Sequence, residues 1–220
     1  MRDNGLALFF GALFLASLIG QALSGLADFN QQQLAHQEEA ITFARYVTSA
    51  EFGAAVMENW QSEYLQFTLF VFATIWLIQR GSPESKEPGK QGRESERDQK
   101  LGAHAGNQSP RWARVEGLRR VIYSNSLLVV MVMIWLATWF AQSVTSHVTY
   151  NADQIDHHQG TVSYLGYLGS ADFWERSLQN WQSEFIAVGS FAVLAIYLRQ
   201  RGSPESKPVG AAHHQTGVQG

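Results

Sequence analysis

Cysteine is absent from this chain of 220 residues. Disulfide frameworks, thiol redox relays and cysteine-ligated metal sites are therefore excluded. Histidine is absent from the long apolar stretches, where a membrane haem would need it as an axial ligand. The sequence also lacks a glycine-rich phosphate loop, a nucleophile elbow and an HExxH pattern. We therefore predict a protein that is not an enzyme and that has no cofactor.

Charged residues are missing from the two longest apolar stretches, residues 5–27 and 126–144. Each is long enough to cross roughly 30 Å of hydrocarbon at about 1.5 Å per residue. Two shorter stretches, residues 64–78 and 185–198, reach the required length of about 20 residues when each is extended back to the asparagine of a preceding NWQSE motif. The sequence therefore predicts an all-α membrane protein with four transmembrane helices in the lipid bilayer.

Lysine and arginine are scarce in the two predicted loops, residues 28–58 and 146–179. These loops hold only Arg45 and Arg176, whereas the termini and the central segment hold 14 of the 16 basic residues. Basic segments beside membrane helices stay in the cytoplasm. Both termini and the central segment are therefore predicted to be cytoplasmic, and the two loops to face outward. The net charge of −3 gives no reason to expect a nucleic-acid partner.

The chain contains an internal duplication with a shift of 121 residues and no gap. About a third of the positions in residues 4–86 recur unchanged in residues 125–207, and the motifs NWQSE and RGSPESK recur in full. Each copy consists of a helix, an outer loop, a second helix and a cytoplasmic tail. Because each copy contains two crossings, both copies enter the membrane in the same orientation. We therefore predict two tandem parallel helical hairpins.

The predicted domain boundaries follow from this duplication. The first repeat covers residues 1–86 and the second covers residues 120–207. Residues 87–119 are rich in charges of both signs, glycine and serine, and poor in large apolar side chains. Such a segment cannot bury enough surface to offset its ordering entropy, so it is predicted to be a flexible cytoplasmic linker. The tail, residues 208–220, is predicted to be disordered for the same reason.

A signal peptide is the alternative interpretation of the N-terminus. Arg2, the apolar stretch after it and the small residues Ala22 and Ser24 resemble a cleavable leader. The same stretch aligns with the internal helix of the second copy, which no signal peptidase would remove. We therefore expect the first apolar stretch to be retained as a membrane helix.

Each NWQSE motif is predicted to lie where a helix enters the membrane. Capping signals precede both motifs, Thr48 with Glu51 in the first copy and Ser170 in the second. A helix at the outer interface would then turn into the membrane. In this interpretation Trp60 and Trp181 are interfacial anchors at the level of the lipid headgroups, and the polar residues of the motif only cover the helix entry.

A second interpretation gives the same motifs a function. Glu63 and Glu184 would lie about 6 Å inside the membrane boundary, at the depth expected for a glutamine on the neighbouring helix. A carboxylate in the membrane needs a polar partner or a wet cavity. We therefore predict two polar intramembrane clusters, one formed by Gln21, Asn59, Gln61 and Glu63, and the other by Gln142, Asn180, Gln182 and Glu184. If the clusters meet, their two carboxylates favour the sharing of a proton.

The RGSPESK motifs are predicted to end the second helix of each copy. Arg80 and Arg201 are anchors that mark its cytoplasmic end, and Gly81 and Gly202 can adopt the left-handed conformation just after the helix. The proline two residues later prevents the helix from continuing. This interpretation leaves the identical serines, glutamate and lysine unexplained. A cytoplasmic docking surface is the alternative.

The second outer loop contains acidic residues and histidines close together, Asp153, Asp156, His157 and His158. Their spacing matches no defined zinc site, and the first copy has weaker ligands at related places, Asn30, Gln33 and His36. We therefore expect no metal site in the outer loops.

Several segments taken together resemble a known family. They are RDNGL at residues 2–6, the two NWQSE motifs, SPRWAR at residues 109–114 and the two RGSPESK motifs. Over nearly its whole length the chain is similar to an uncharacterised family of bacterial multi-pass integral membrane proteins, defined by a domain of unknown function. The resemblance implies a location in the bacterial plasma membrane. It implies no substrate, cofactor or catalytic residue.

Two classes of function fit these predictions. The first is a non-enzymatic membrane scaffold, sensor or partner-binding protein, which would associate with itself or with another membrane protein. The second is a small transporter or a proton- or cation-conducting protein that uses Glu63 and Glu184. Four spans make a thin transporter, so the second class would require a homo-oligomer.

Overall fold

The structure of the protein is a computed structural model that describes residues 2–219, and of Arg2 the backbone alone. Met1 and Gly220, which begin the predicted first repeat and end the predicted tail, lie outside the described residues. The described part of the chain is helical and contains no strand, which confirms the predicted all-α class. In chain order its α-helices are α1 (Gly5–Ala35), α2 (Phe43–Val47), α3 (Ala50–Trp76), α4 (Arg111–Arg114), α5 (Leu118–Ser124), α6 (Ser126–Asp156), α7 (Tyr164–Leu168) and α8 (Ala171–Tyr197).

The long helices occur twice with the same lengths. Helices α1 and α6 each contain 31 residues, and α3 and α8 each contain 27. The five-residue helices α2 and α7 fall between them. In each of these three pairs the second helix begins 121 residues after the first, which is the shift of the sequence duplication.

An asparagine near the end of α1 and of α6 holds the turn that follows. Asn30 donates through Nδ2 to the Ile41 carbonyl at 3.1 Å and accepts from the Ile41 amide at 2.8 Å. Asn151 makes the same two bonds with Val162, at 3.0 and 2.9 Å. One side-chain amide thus satisfies both backbone groups of a loop residue, and each loop is fixed to its helix.

Serine caps the N-terminus of α3 and of α8. Ser49 and Ser170 each accept through Oγ from the backbone amide three residues later, at 3.2 Å in both copies. The prediction of Ser170 as an N-cap is confirmed. The prediction of Thr48 is wrong, because its hydroxyl donates to the Ala44 carbonyl at 2.9 Å and lies at the end of α2.

Both NWQSE motifs lie inside continuous helices, α3 and α8, which run through them without a break. The chain is expected to turn into the membrane at each motif, and the structure shows no helix break there. Both helices end four residues before Arg80 and Arg201. Gly81 and Gly202 have a positive φ of 85°, as predicted, but each occupies the third position of a separate turn and not the position next to the helix.

Two of the described helices, α1 and α6, are long and apolar enough to cross a membrane. Their most apolar windows have mean hydropathies of 2.1 and 2.0, and only 6% and 17% of these windows are buried. The core helices of soluble proteins can be equally long and apolar, but they are buried. The low burial of α1 and α6 therefore favours an apolar environment outside the chain.

The chain forms two compact units. The first contains the chain up to Glu58 together with Phe140–Phe173. In it the Tyr46 ring lies 5.7 Å from the Phe29 ring and 5.5 Å from the Phe52 ring, between centroids. The second contains Asn59–Trp139 together with the chain from Trp174 onward. Each unit draws on both copies of the duplication, and the predicted domain boundaries stay predictions.

In the second unit, part of the predicted linker contacts the end of α3, and part of the predicted tail contacts the loop that follows α3. The Gly92 amide donates to the Ile75 carbonyl at 2.7 Å, and the Gly81 amide donates to Thr216 Oγ1 at 2.9 Å. The short helix α4 lies within the predicted linker, and α5 begins at the end of the linker and precedes α6. The predicted flexibility of the linker and disorder of the tail concern dynamics, and they stay predictions.

Candidate functional site

The candidate site lies in the second unit, where α3 and α8 bring side chains of both NWQSE motifs together. Residues three and four positions apart share one face of a helix. This spacing places Ser62 beside Gln66 on α3, and Trp181 beside Glu184 on α8. We use the name NWQSE cluster for Gln61, Ser62, Glu63, Gln66, Trp181 and Glu184.

The buried end of the NWQSE cluster is a hydrogen bond between two helices. Trp181 Nε1 donates to Gln61 Oε1 at 2.8 Å, and Gln61 is 0% exposed. A buried amide oxygen without a partner costs about 1–3 kcal/mol. The bond therefore stabilises the packing of α3 against α8 and specifies which faces meet.

Glu63 and Glu184 meet through a shared donor. With its amide nitrogen directed at the carboxylates, Gln66 donates to Glu184 Oε2 at 2.9 Å and to Glu63 Oε2 at 3.2 Å. The Ser62 hydroxyl donates to Glu184 Oε1 at 3.3 Å. Ser62 is buried, Glu184 is half-buried and Glu63 is exposed. Two carboxylates joined by one amide form a compact set of acceptors that can hold one proton or one cation.

The structure distributes the other predicted cluster residues between helix surfaces and the first unit. Asn180 donates through Nδ2 to the backbone carbonyl one turn earlier, at 2.8 Å. Asn59 and Gln182 are exposed. Gln21 and Gln142 belong to the first unit, where Gln21 is half-buried and Gln142 is buried. The predicted pairing of each glutamine with a glutamate stays a prediction.

Gln66 is the one residue of the NWQSE cluster outside both NWQSE motifs. It lies three residues after Glu63, outside the NWQSE motif, and the matching position of the second copy is Ala187. The residues shared by both copies therefore do not include Gln66. Helical spacing was the available signal, because a polar residue at i+3 from a glutamate lies on the same helix face.

Tryptophans from α6 and α8 pack beside the NWQSE cluster. The Trp139 ring is stacked on Trp135, with centroids 5.7 Å apart and planes at 11°. It also lies 5.5 Å from the Trp181 ring and 6.2 Å from the Trp174 ring. Trp139 Nε1 donates to the hydroxyl of buried Ser177 at 3.3 Å. The aromatic packing adds about 0.5–1.5 kcal/mol per pair to the contact between α6 and α8.

The four predicted interfacial anchors have different surroundings. Arg80 and Arg201 are exposed, and Trp60 and Trp181 are half-buried. The indole N–H of Trp181 is directed into the NWQSE cluster, so this residue has an internal contact besides any contact with lipid. Anchoring at a membrane interface stays a prediction for all four.

The RGSPESK loops, residues 80–86 and 201–207, have the same local structure. Ser85 and Ser206 each accept through Oγ from the backbone amide six residues earlier, at 2.9 Å in both loops. Lys86 Nζ donates to a linker carbonyl at 2.7 Å, and Lys207 Nζ donates to three tail carbonyls at 2.9–3.3 Å. The serines and lysines that the helix-end interpretation leaves unexplained therefore close these loops.

The glutamates of the two RGSPESK loops meet each other. The Glu84 and Glu205 carboxyl groups share a hydrogen bond, which requires one of the two to carry a proton. Burial, followed by this hydrogen bond and the negative charge of Glu205, raises the pKa of Glu84 to about 7. The contact between the loops can therefore titrate near neutral pH.

Two histidines of the second copy lie close to backbone carbonyls. His157 Nδ1 lies 2.8 Å from the Asp153 carbonyl, and His147 Nε2 lies 2.9 Å from the Val162 carbonyl. Within residues 2–219 the side chains of His, Asp and Glu form no group of three or more that could hold a metal ion.

Comparison with known protein families covers almost the entire chain. A family model described as a domain of unknown function, DUF6766, matches residues 1–218. The chain belongs to this family. The match includes both NWQSE motifs and both RGSPESK loops, so the candidate site lies within the DUF6766 domain. No curated protein and no solved structure matches the chain.

Proposed function

We propose that the protein is a membrane protein of four spans that acts by binding a partner, as a scaffold or sensor, and that it is not an enzyme. Support comes from α1, whose apolar side chains are exposed along its length. The exposed fraction is 75% for Leu6, 58% for Phe9 and 49% for Leu13. Because exposed apolar surface costs about 25 cal/mol per Å², such a helix needs lipid or another protein around it.

The proposal extends to α3 and α8 as the second span of each parallel repeat. A helix of 27 residues is about 40 Å long, which exceeds the roughly 30 Å of a bilayer core. The equal lengths and the common shift of the paired helices support a tandem repeat. The basic residues in the linker and at both ends support cytoplasmic termini, in the plasma membrane of a bacterium.

One observation carries the preference for partner binding over transport. The NWQSE polar groups are engaged between α3 and α8, Trp181 with Gln61 and Gln66 with both glutamates. Interhelical hydrogen bonds of this kind hold membrane helices together. The surfaces left for another molecule are then the apolar helix faces and the RGSPESK loops. The partner is a second copy of the chain or another membrane protein.

Single cysteines test the topology, since the chain contains none of its own. Ser163→Cys in the outer loop should react with a membrane-impermeant maleimide in intact cells, and Ser95→Cys in the linker should react only after permeabilisation. Both serines are exposed. Reaction of both in intact cells, or release of the protein by alkaline carbonate, would contradict the proposed topology.

Photo-crosslinking tests partner binding in the membrane. A photoreactive residue is placed at exposed apolar positions, with buried Ala22 as the matched control. We expect protein adducts at one or more exposed positions and none at Ala22. Lipid adducts alone at every exposed position would reject the proposal. The positions are Leu13, Phe67, Leu136 and Phe185.

A proton- or cation-conducting protein is the second candidate, and the bridged carboxylates favour it. Glu63 and Glu184 each accept from the single amide of Gln66. Glu63→Gln with Glu184→Gln keeps the side-chain volumes and removes both charges. If the carboxylates conduct, gradient-driven flux in proteoliposomes should be lost in this double variant and kept in Glu175→Gln, an exposed residue of α8. Equal flux in all three proteins and in empty liposomes would exclude conduction.

A further inference from the structure

Two side chains of α6 in the first unit are buried without a hydrogen-bond partner. Gln142 is 0% exposed and Ser146 is 1% exposed. Within the described residues, neither Nε2 nor Oε1 of Gln142 has a partner, and neither does Oγ of Ser146. The two residues are four positions apart, so they share one face of the helix. An unpaired donor or acceptor in the interior is strongly destabilising, so these three atoms need a partner.

Other hydroxyls of α6 show how a helix usually satisfies such groups. Ser143, Thr145 and Thr149 donate to carbonyls three or four residues earlier in the helix, at 2.7, 2.9 and 3.0 Å. Ser146 makes no such bond. Its hydroxyl therefore stays available on the face that it shares with Gln142.

The first copy differs at the matching positions. Gln21 is only half-buried, and Gly25 stands where the second copy has the buried serine. A Cβ at Gly25 would collide with the Tyr46 hydroxyl, so a tyrosine occupies that space. The matching Tyr167 instead donates to Asp172 Oδ2 at 3.0 Å. The unpaired polar pair is therefore a feature of the second copy.

We propose that Gln142 and Ser146 form an internal site for a small neutral molecule that both donates and accepts hydrogen bonds, water being the smallest. The amide offers donors and an acceptor, and the hydroxyl offers both functions. The unpaired atoms carry no formal charge, so a neutral ligand satisfies them without the cost of burying an ion. A buried water molecule makes about three hydrogen bonds to groups of this kind.

Cysteine accessibility tests this site independently of the proposed function. Ser146→Cys should react with a small uncharged maleimide in the folded protein, because a buried site that exchanges its ligand with the surroundings does so by local opening, and the same opening exposes the thiol. Ser177→Cys is the matched control, since Ser177 is 0% exposed but is bonded to Trp139 at 3.3 Å. Ser95→Cys gives the rate of an exposed thiol. We expect Ser146→Cys to react about tenfold faster than Ser177→Cys; equal rates would overturn the proposal.

The sign of a stability change gives a second test. Gln142→Met keeps the side-chain volume but removes the amide. If a ligand pairs with the amide, Tm should fall by about 2–4 °C, and the labelling of Ser146→Cys should slow in the Gln142→Met background. A rise in Tm would show that the amide was unpaired and dry, and would overturn the proposal. Slower labelling in glycerol would identify a ligand larger than water, and an unchanged rate would identify water.

Discussion

Glu84→Gln should abolish a pH dependence in the stability of the protein. In the native protein the Glu84 and Glu205 carboxyls share a hydrogen bond, and the pKa of Glu84 is raised to about 7 from its ordinary value of 4.5. A carboxyl whose pKa is raised by folding binds its proton more tightly in the folded state. Its stabilising contribution is complete below pH 4.5 and is lost as the pH rises through about 7.

The size of the effect follows from the shift and from the surroundings of Glu84. The rise of the pKa from 4.5 to about 7 corresponds to about 3 kcal/mol at most. Glu84 is half-exposed, and solvent screening reduces this to roughly 1–2 kcal/mol. The nearby charges of Lys86, Glu87, Lys90 and Glu94 are paired with each other, at 2.5 Å for Lys86 with Glu94 and 2.7 Å for Lys90 with Glu87, which leaves Glu205 as the dominant partner.

Thermal unfolding in detergent at pH 5, 6, 7 and 8 measures this contribution. The wild-type Tm should fall by roughly 3–6 °C between pH 5 and pH 8 through the contact alone. Glu84→Gln should raise Tm at pH 8 and flatten the profile, because a glutamine amide donates to Glu205 at every pH. Glu116→Gln, an exposed glutamate outside the contact, should keep the wild-type profile. A Glu84→Gln profile parallel to the wild-type profile would refute the reasoning.

Four further substitutions have outcomes that the structure predicts. Gly202→Ala should lower the free energy of unfolding by about 1 kcal/mol, because φ is +85° at this residue. Gly81→Ala should lower it more, because its Cβ would also lie 2.5 Å from a tail carbonyl oxygen. Equal losses of the two variants in denaturant unfolding would contradict this prediction. Asn30→Ala should cost about 1–3 kcal/mol by removing both bonds to its loop, and unchanged proteolysis of that loop would contradict it. Trp181→Phe should cost about 1 kcal/mol by removing the hydrogen bond that Gln61 Oε1 accepts, and this part of the cost should vanish in the Gln61→Leu background.

The helices could be predicted from the sequence better than their ends. Apolar stretches predict the long helices, but α1 continues to Ala35, eight residues beyond the predicted stretch at residue 27. Polar residues such as Gln32 and Gln33 favour a helix as well as leucine does, so hydropathy does not mark its end. The helix ends just before Gln37, which has a positive φ of 64°. No residue type in this segment predicts this left-handed conformation.

The site could be predicted only in part, because a sequence motif is a local feature, whereas the contacts in the site join residues far apart in the sequence. NWQSE identified the glutamates and Gln61, but the partner of Gln61 is 120 residues away, and the pairing depends on which faces of α3 and α8 meet. The same limit applies to Glu84 and Glu205. A repeated motif suggests that each copy makes its own separate contacts. Here the two RGSPESK glutamates contact each other, and the two NWQSE glutamates contact a common donor, Gln66.

The duplication separates what is structural from what is chemical in this chain. Residues kept in both copies, such as Asn30 with Asn151, make the same local hydrogen bonds twice, and a bond that recurs with its geometry is explained by folding. Two polar residues without a counterpart in the other copy are Gln66 and Ser146. In the alignment of the two copies, Gln66 matches Ala187 and Ser146 matches Gly25. The first copy folds with Gly25 at the position of Ser146, and the second folds with Ala187 at the position of Gln66. The duplicated helical frame therefore requires neither Ser146 nor Gln66.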